Sequence, residues 1–269
     1  MISLYTYITW DVSPEIVSFG FLTLRWYGML FALGFLVGQQ IMIHIFKAEG
    51  RPVKDVESLT LYMVVATVLG ARLGHCLFYE PAYYLANPIE ILMVWQGGLA
   101  SHGATIGILI GLYLYARKRP DQSWFWILDR VVITVSLGGA FIRLGNLFNS
   151  EIYGIPTTLP WGFIFVRDGE TIARHPTQIY EALFCLVLLA VTYTMWKSYR
   201  NRLPTGAIFS TFVVLLFTFR FFVEFVKTEQ VEFEKGMALN MGQWLSIPAV
   251  VMGVAVLLYL FQKQKTTSR

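Results

Sequence analysis

With 269 residues, of which 56% are hydrophobic and only 14% charged, the chain falls well below the roughly 25% charge of a soluble domain. That balance excludes an ordinary water-soluble globule and makes lipid the expected solvent. The formal net charge of +4 is too modest to call for nucleic acid.

Seven windows of about 18 to 22 residues are nearly free of charge, the length that crosses roughly 30 Å of hydrocarbon at 1.5 Å per residue. They fall at about 21–46, 59–79, 99–116, 124–146, 177–196, 204–226 and 243–262. Gly50, Pro52, Pro81, Pro120 and Pro204 punctuate their ends. Residues 1–20 hold Asp11 and Glu15 but no Lys or Arg, so no cleavable signal peptide is expected and the first apolar segment should remain. Basic residues prefer cytoplasmic connections. One alternate set of connections carries Lys47, Arg51, Lys54, Arg117, Lys118, Arg119, Lys197, Arg200, Arg202, Lys263, Lys265 and Arg269, and the other only Arg167, Arg174, Lys227 and Lys235. The prediction is an all-α polytopic membrane protein of seven transmembrane helices, N-terminus outside and C-terminus cytoplasmic. It reads as one transmembrane domain, 1–269, with a small extracytoplasmic cap at about 147–176 that includes a short hairpin around Asp168 and Gly169.

Five arginines are left within or beside the spans: Arg25, Arg72, Arg130, Arg143 and Arg220. Arg130 lies at the cytoplasmic start of its helix, where it can snorkel. The other four converge in the outer half of the bilayer, each from a different helix. Such charges cost about 2.5 to 3.5 kcal/mol on insertion scales and normally face a protein interior or a wet cavity. Glu151, Glu181 and Glu224 are the carboxylates at similar depth, and Glu224 follows Arg220 by four, so it can neutralise that arginine. A remaining arginine surplus points to an anionic ligand, and the guanidinium fork suits phosphate.

His102 sits among glycines in GGLASHG, at the start of the third apolar segment, where it can serve either as an interfacial hydrogen-bonding residue or in proton transfer. Glycines at four-residue spacing, Gly34 and Gly38, Gly70 and Gly74, then Gly103, Gly107 and Gly111, predict close helix packing. HPTQIYE, His175 to Glu181, opens the fifth apolar segment with a proline and a carboxylate suited to a helix start. Cys76 and Cys185 lie in separate apolar segments with no metal-type spacing and read as small buried hydrophobes. No metal or cofactor is expected. Taken by themselves, the arginines admit an enzyme acting on an anionic lipid or an anion or lipid transporter; the absence of an inverted repeat weighs against the second.

Six runs carry a family resemblance: LRWYGMLFALGF (Leu24–Phe35), GGLASHGATIG (Gly97–Gly107), RLGNLFNSEIYG (Arg143–Gly154), HPTQIYE (His175–Glu181), RFFVEF (Arg220–Phe225) and MGQWLS (Met241–Ser246). In these runs, nearly end to end and in order, the chain resembles the prolipoprotein diacylglyceryl transferases of bacterial inner membranes. The resemblance implies transfer of the diacylglyceryl group of phosphatidylglycerol to the lipobox cysteine of a prolipoprotein signal peptide, with glycerol phosphate leaving. It implies catalytic roles for His102 as thiol base and for Arg143, Arg220 and Glu224 around the phosphate. It further implies substrate contacts from Tyr27, Arg72, Arg143, Asn146 and Glu151, and a sensitive backbone position at Gly154.

Overall fold

A computed structural model describes residues 7–20, 22–94, 97–228 and 237–267; the basic residues Lys235 and Arg269 used in the charge count lie outside them. The chain forms two compact units, residues 39–128 and residues 1–38 with 129–269. It is predominantly helical, and six helices among the described residues are long and apolar enough to cross a membrane.

In the larger unit, β1 (Ile8–Trp10) is followed by the hairpin of β2 (Glu15–Phe19) and β3 (Leu22–Arg25), which pair antiparallel with Glu15 opposite Arg25. The first apolar window was expected to be helical from residue 21; the helix α1 (Trp26–Ala48) begins five residues later because Leu22–Arg25 is strand. Arg25 is therefore not a helical residue, and it forms an exposed cross-strand ion pair with Glu15 at 3.6 Å. β1 also lies parallel to β4 (Phe163–Phe165), and Arg174 pairs antiparallel with Phe163, Gly169 supplying the positive φ of the intervening turn. The expected hairpin around Asp168 and Gly169 is thus present, with a single-residue return. Its core holds Leu147, Phe163 and Phe165, against which Trp10, Tyr153 and Ile179 pack.

Helix α5 (Trp124–Phe148) runs from the smaller unit into the larger one, where α6 (Thr177–Tyr199), α7 (Ala207–Val223) and α8 (Met241–Thr267) also belong. Gly34 and Gly38 bring α1 onto α5: a Cβ on either would meet Gly138 Cα at 3.5 Å or Thr134 Cβ at 3.4 Å. Asp129 is buried, not solvent-facing, and accepts from the Gly206 and Phe209 amides at 2.7 and 2.8 Å, satisfying free N–H groups at the start of α7. Arg130 was expected to snorkel; it is instead 7% exposed and stands 3.8 Å from the Asp129 carboxylate.

The smaller unit pairs α2 (Lys54–Phe78) with α4 (Ser101–Arg117) and includes the short α3 (Pro81–Ala86). A Cβ on Gly74 would stand 2.6 Å from Gly103 Cα, and one on Gly107 would stand 2.9 Å from Gly70 Cα, so the glycine rows let two backbones touch. The third expected span, 99–116, is a helix of only 17 residues, about 25 Å long and short of the hydrocarbon thickness. The window overran the start of this helix by Leu99 and Ala100 and stopped one residue short of its end.

Candidate active site

The last turns of α5 carry Arg143 and Asn146 on one face. Arg143 Nη1 donates to Asn146 Oδ1 at 3.4 Å, which leaves the Asn146 amide nitrogen to donate to Glu151 Oε1 at 2.8 Å; Asn149 donates to the same oxygen at 3.1 Å. Glu151 reaches back because the chain reverses sharply after Phe148. Ser150 and Ile152, on either side of it, have φ of 54° and 60°, a left-handed conformation that costs a non-glycine residue roughly 1 to 2 kcal/mol. The reversal is held from outside. Thr177 Oγ1 donates to the Ile152 carbonyl at 2.8 Å and Gln178 Nε2 to the Glu151 carbonyl at 2.7 Å. HPTQIYE therefore clamps the Arg143–Gly154 segment as well as opening α6.

One turn further along α6, Glu181 places Oε2 3.3 Å from Arg143 Nε without forming a hydrogen bond, and Oε1 3.6 Å from Lys227 Nζ. Lys227 also lies 3.2 Å from Glu224 Oε1, and Arg220 Nη2 stands 3.7 Å from that same oxygen. Asn240 donates to Glu224 Oε2 at 3.0 Å. Gly242 leaves room for this carboxylate, since a Cβ there would sit 2.7 Å from Glu224 Cδ. The result is a continuous chain of charge, Arg143 to Glu181 to Lys227 to Glu224 to Arg220. The anions and the lysine are the sequestered members, with side chains 8%, 9% and 3% exposed, whereas Arg143 and Arg220 are 22% and 36% exposed. Among the described residues, Nη2 of Arg143, and Nε and Nη1 of Arg220, form no hydrogen bond to protein. Two guanidinium groups thus keep open donors above a buried, mutually neutralised layer.

The arginine surplus inferred from the sequence is absent here. Glu151, Glu181 and Glu224 balance Arg143, Arg220 and Lys227. What favours an anion is the unequal exposure and the open donors of the arginines. Tyr27 lies across Gly145, whose Cβ would meet the ring at 2.7 Å, placing the phenol beside the Arg143–Asn146 turn. Gly154 donates to the His175 carbonyl at 2.8 Å and bridges to Lys227; a Cβ there would stand 2.7 Å from His175 Cβ and 2.9 Å from Thr177 Cγ2, besides crowding the Val226 carbonyl. Its requirement is for close approach, since its φ is not positive.

Arg72 and His102 belong to the smaller unit. Arg72 is 2% exposed. Its guanidinium donates to the carbonyls of Ile91, Gly97 and Glu90 at 3.0, 2.7 and 2.5 Å and lies 5.0 Å from the Tyr84 ring centre. Those donors latch the segment that leads into α4. His102 is the second residue of α4 and is exposed.

Sequence reasoning missed Lys227, counted only as a loop cation, although its spacing of three from Glu224 was the available signal. It also missed the backbone clamps from Thr177 and Gln178, and the support of Glu224 by Asn240 and Gly242.

A family model described as prolipoprotein diacylglyceryl transferase matches residues 14–259. The chain is similar to the phosphatidylglycerol–prolipoprotein diacylglyceryl transferase of Chloroherpeton thalassium, with 49% identity over 97% of this chain and 96% of the relative. It is similar to the proteins of the same name from Tolumonas auensis, 44% identical over 95% and 98%, and from Porphyromonas gingivalis, 46% identical over 94% of each. The match spans both structural units and every residue of the charge chain, and the chain belongs to the prolipoprotein diacylglyceryl transferase family.

Proposed function

We propose that this protein transfers the diacylglyceryl group of phosphatidylglycerol to the lipobox cysteine of prolipoprotein signal peptides, the first step of bacterial lipoprotein maturation. Family membership favours this reading over an anion or lipid transporter. The observation that carries the chemistry is the pair of partly exposed guanidinium groups, Arg143 and Arg220, seated on buried Glu181, Glu224 and Lys227.

The reaction forms a carbon–sulfur bond at the tetrahedral glycerol carbon and breaks its bond to the phosphate oxygen. That oxygen takes the electron pair, and glycerol phosphate leaves. Charge therefore grows on phosphate, where pre-placed guanidinium donors stabilise it more than they stabilise the diester. Arg143 and Arg220 are assigned this role. Asn146 and Glu151 hold Arg143 in place, and Glu224 holds Arg220. Tyr27 adds a hydrogen bond to the headgroup. A cysteine thiol with pKa about 8.5 is mostly protonated at neutral pH, and His102 is assigned as the group that accepts its proton. Gly154 keeps the reversal after α5 close to α6. Arg72 serves the lipid by shaping the approach to α4.

The protein is read as one multi-pass domain of the bacterial cytoplasmic membrane. Ser101–Arg117 is its seventh, short span, the N-terminus and the 147–176 cap face outward, and the C-terminus is cytoplasmic. The positive-inside distribution of Lys and Arg supports that orientation. The deciding experiment is incubation of the purified protein in phosphatidylglycerol nanodiscs with a lipobox peptide. The expected result is a diacylglyceryl mass gain on the peptide cysteine; no adduct under conditions where the protein stays folded overturns the reading.

A further inference from the structure

The resemblance assigns no role to Lys227, and its charge is sequestered more completely than that of any other member of the chain: its side chain is 3% exposed, between Glu181 at 3.6 Å and Glu224 at 3.2 Å. Burying an ammonium costs several kcal/mol unless it is well paired, so a lysine held this way contributes something that a neutral side chain of similar length would not. Each carboxylate that it contacts turns toward one of the two partly exposed arginines, Glu181 to Arg143 and Glu224 to Arg220. These arginines come from different helices, α5 and α7, and the path between them through side chains passes through Lys227.

We propose that Lys227 is a positioning residue for phospholipid recognition: its ammonium ties Glu181 to Glu224 and so holds the guanidinium groups of Arg143 and Arg220 at the separation that lets both address one phosphodiester. This rests on the transferase reading above. Its charge has a second effect. Without it, Glu151, Glu181 and Glu224 outnumber Arg143 and Arg220, and the site opposes the anion that it must admit. Lys227 acts through these residues and does not touch the substrate.

The test is steady-state transfer in nanodiscs with Lys227→Met and Lys227→Arg, varying phosphatidylglycerol and lipobox peptide separately. Lys227→Met is expected to raise KM for phosphatidylglycerol tenfold or more and to weaken product inhibition by glycerol phosphate in parallel, with KM for the peptide unchanged. Lys227→Arg, which retains the charge, is expected to stay within about threefold of the parent on all three. A lysine with a purely structural role would lower the amount of active enzyme and leave both KM values alone. An unchanged KM for phosphatidylglycerol in Lys227→Met overturns the proposal. Removing one partner of a buried pair is strongly destabilising, so where Lys227→Met yields too little folded protein, Lys227→Gln, which removes the charge and keeps an N–H donor for the two carboxylates, is read by the same criterion. An inactive parent protein would refute the transferase reading; an active parent with an indifferent Lys227→Met refutes only the role of Lys227.

Discussion

Arg143 Nε stands 3.3 Å from Glu181 Oε2, so the α5 residue that opens the family motif is met by an anion from α6 whose side chain is 8% exposed. The contact uses the inner nitrogen of the guanidinium; Nη1 donates to Asn146 Oδ1, and Nη2 remains for a ligand. Replacing Arg143 with Lys keeps the charge but offers one ammonium where two separate tasks exist, facing Glu181 and Asn146 below and a phosphate above. Transfer should fall about 100-fold to 1000-fold, the usual loss when one transition-state donor is removed. Steady-state transfer to a lipobox peptide measures this, and a near-normal rate would show that the fork is dispensable.

Gly154→Ala introduces a Cβ into a gap where His175 and Thr177 stand 2.7 and 2.9 Å away. The neighbours are the Val226 carbonyl and inner side-chain atoms of His175 and Thr177, which have little room to yield. Overpacking of this kind costs about 1 to 3 kcal/mol. Thermal unfolding in detergent should show a lowered Tm, with activity reduced because Gly154 bridges directly to Lys227.

Ser150→Gly should act in the opposite direction. Ser150 is 4% exposed, has φ of 54°, and its hydroxyl finds no hydrogen-bond partner among the described residues. Glycine removes both the left-handed strain, about 1 to 2 kcal/mol, and an unsatisfied buried hydroxyl, about 1 to 3 kcal/mol. Its greater unfolded-state entropy offsets about 0.5 to 1 kcal/mol. A Tm higher by a few degrees is expected; a lower one would mean that the hydroxyl has a partner that matters.

Arg72→Lys distinguishes a latch from a ligand contact. Lysine cannot reproduce donation to the carbonyls of Glu90, Ile91 and Gly97. Hydrogen exchange across residues 88–98 should accelerate by at least tenfold. Loss of transfer with no change in exchange would indicate that Arg72 acts on lipid directly.

His175 gives the segment between α5 and α6 a pH dependence. Burial holds its pKa below the ordinary 6.5, so the folded state binds the proton less readily than the unfolded chain. Its contribution is complete above about pH 6.5 and declines as the pH falls below that value toward the lowered one. Limited proteolysis of the 149–176 region should therefore quicken between pH 7 and pH 5, and His175→Gln should flatten that slope. An identical slope in the variant would assign the effect to other groups.

The long helices were legible because lipid-facing segments announce themselves by hydropathy, and the glycine rows because backbone contact between α2 and α4 leaves no alternative to glycine. Strand Leu22–Arg25 was not, since its apolar residues merge with those of α1 and a hydropathy window cannot see pairing with Glu15–Phe19. Arg143, Asn146, Glu151, Arg220 and Glu224 were singled out by their oddity within apolar runs, and they do form one linked chain. Lys227 escaped because reading charges by topology assigns a cation between spans to solvent. Its burial depends on Glu181, 46 positions earlier, and no local pattern records that.

The dependence of the charge chain on distant segments sets an order of assembly during synthesis. Asn240 and Gly242, which steady Glu224, are among the later residues to leave the ribosome, and the strained reversal at Ser150 to Ile152 has no clamp until Thr177 and Gln178 follow it. A nascent chain that has inserted its first five long helices still lacks a finished cluster. Every residue of the charge chain has been made by the end of α7 and its following turn, yet the support of Glu224 is completed only when α8 begins, so a partially synthesised protein carries the chain with one of its anions unsteadied.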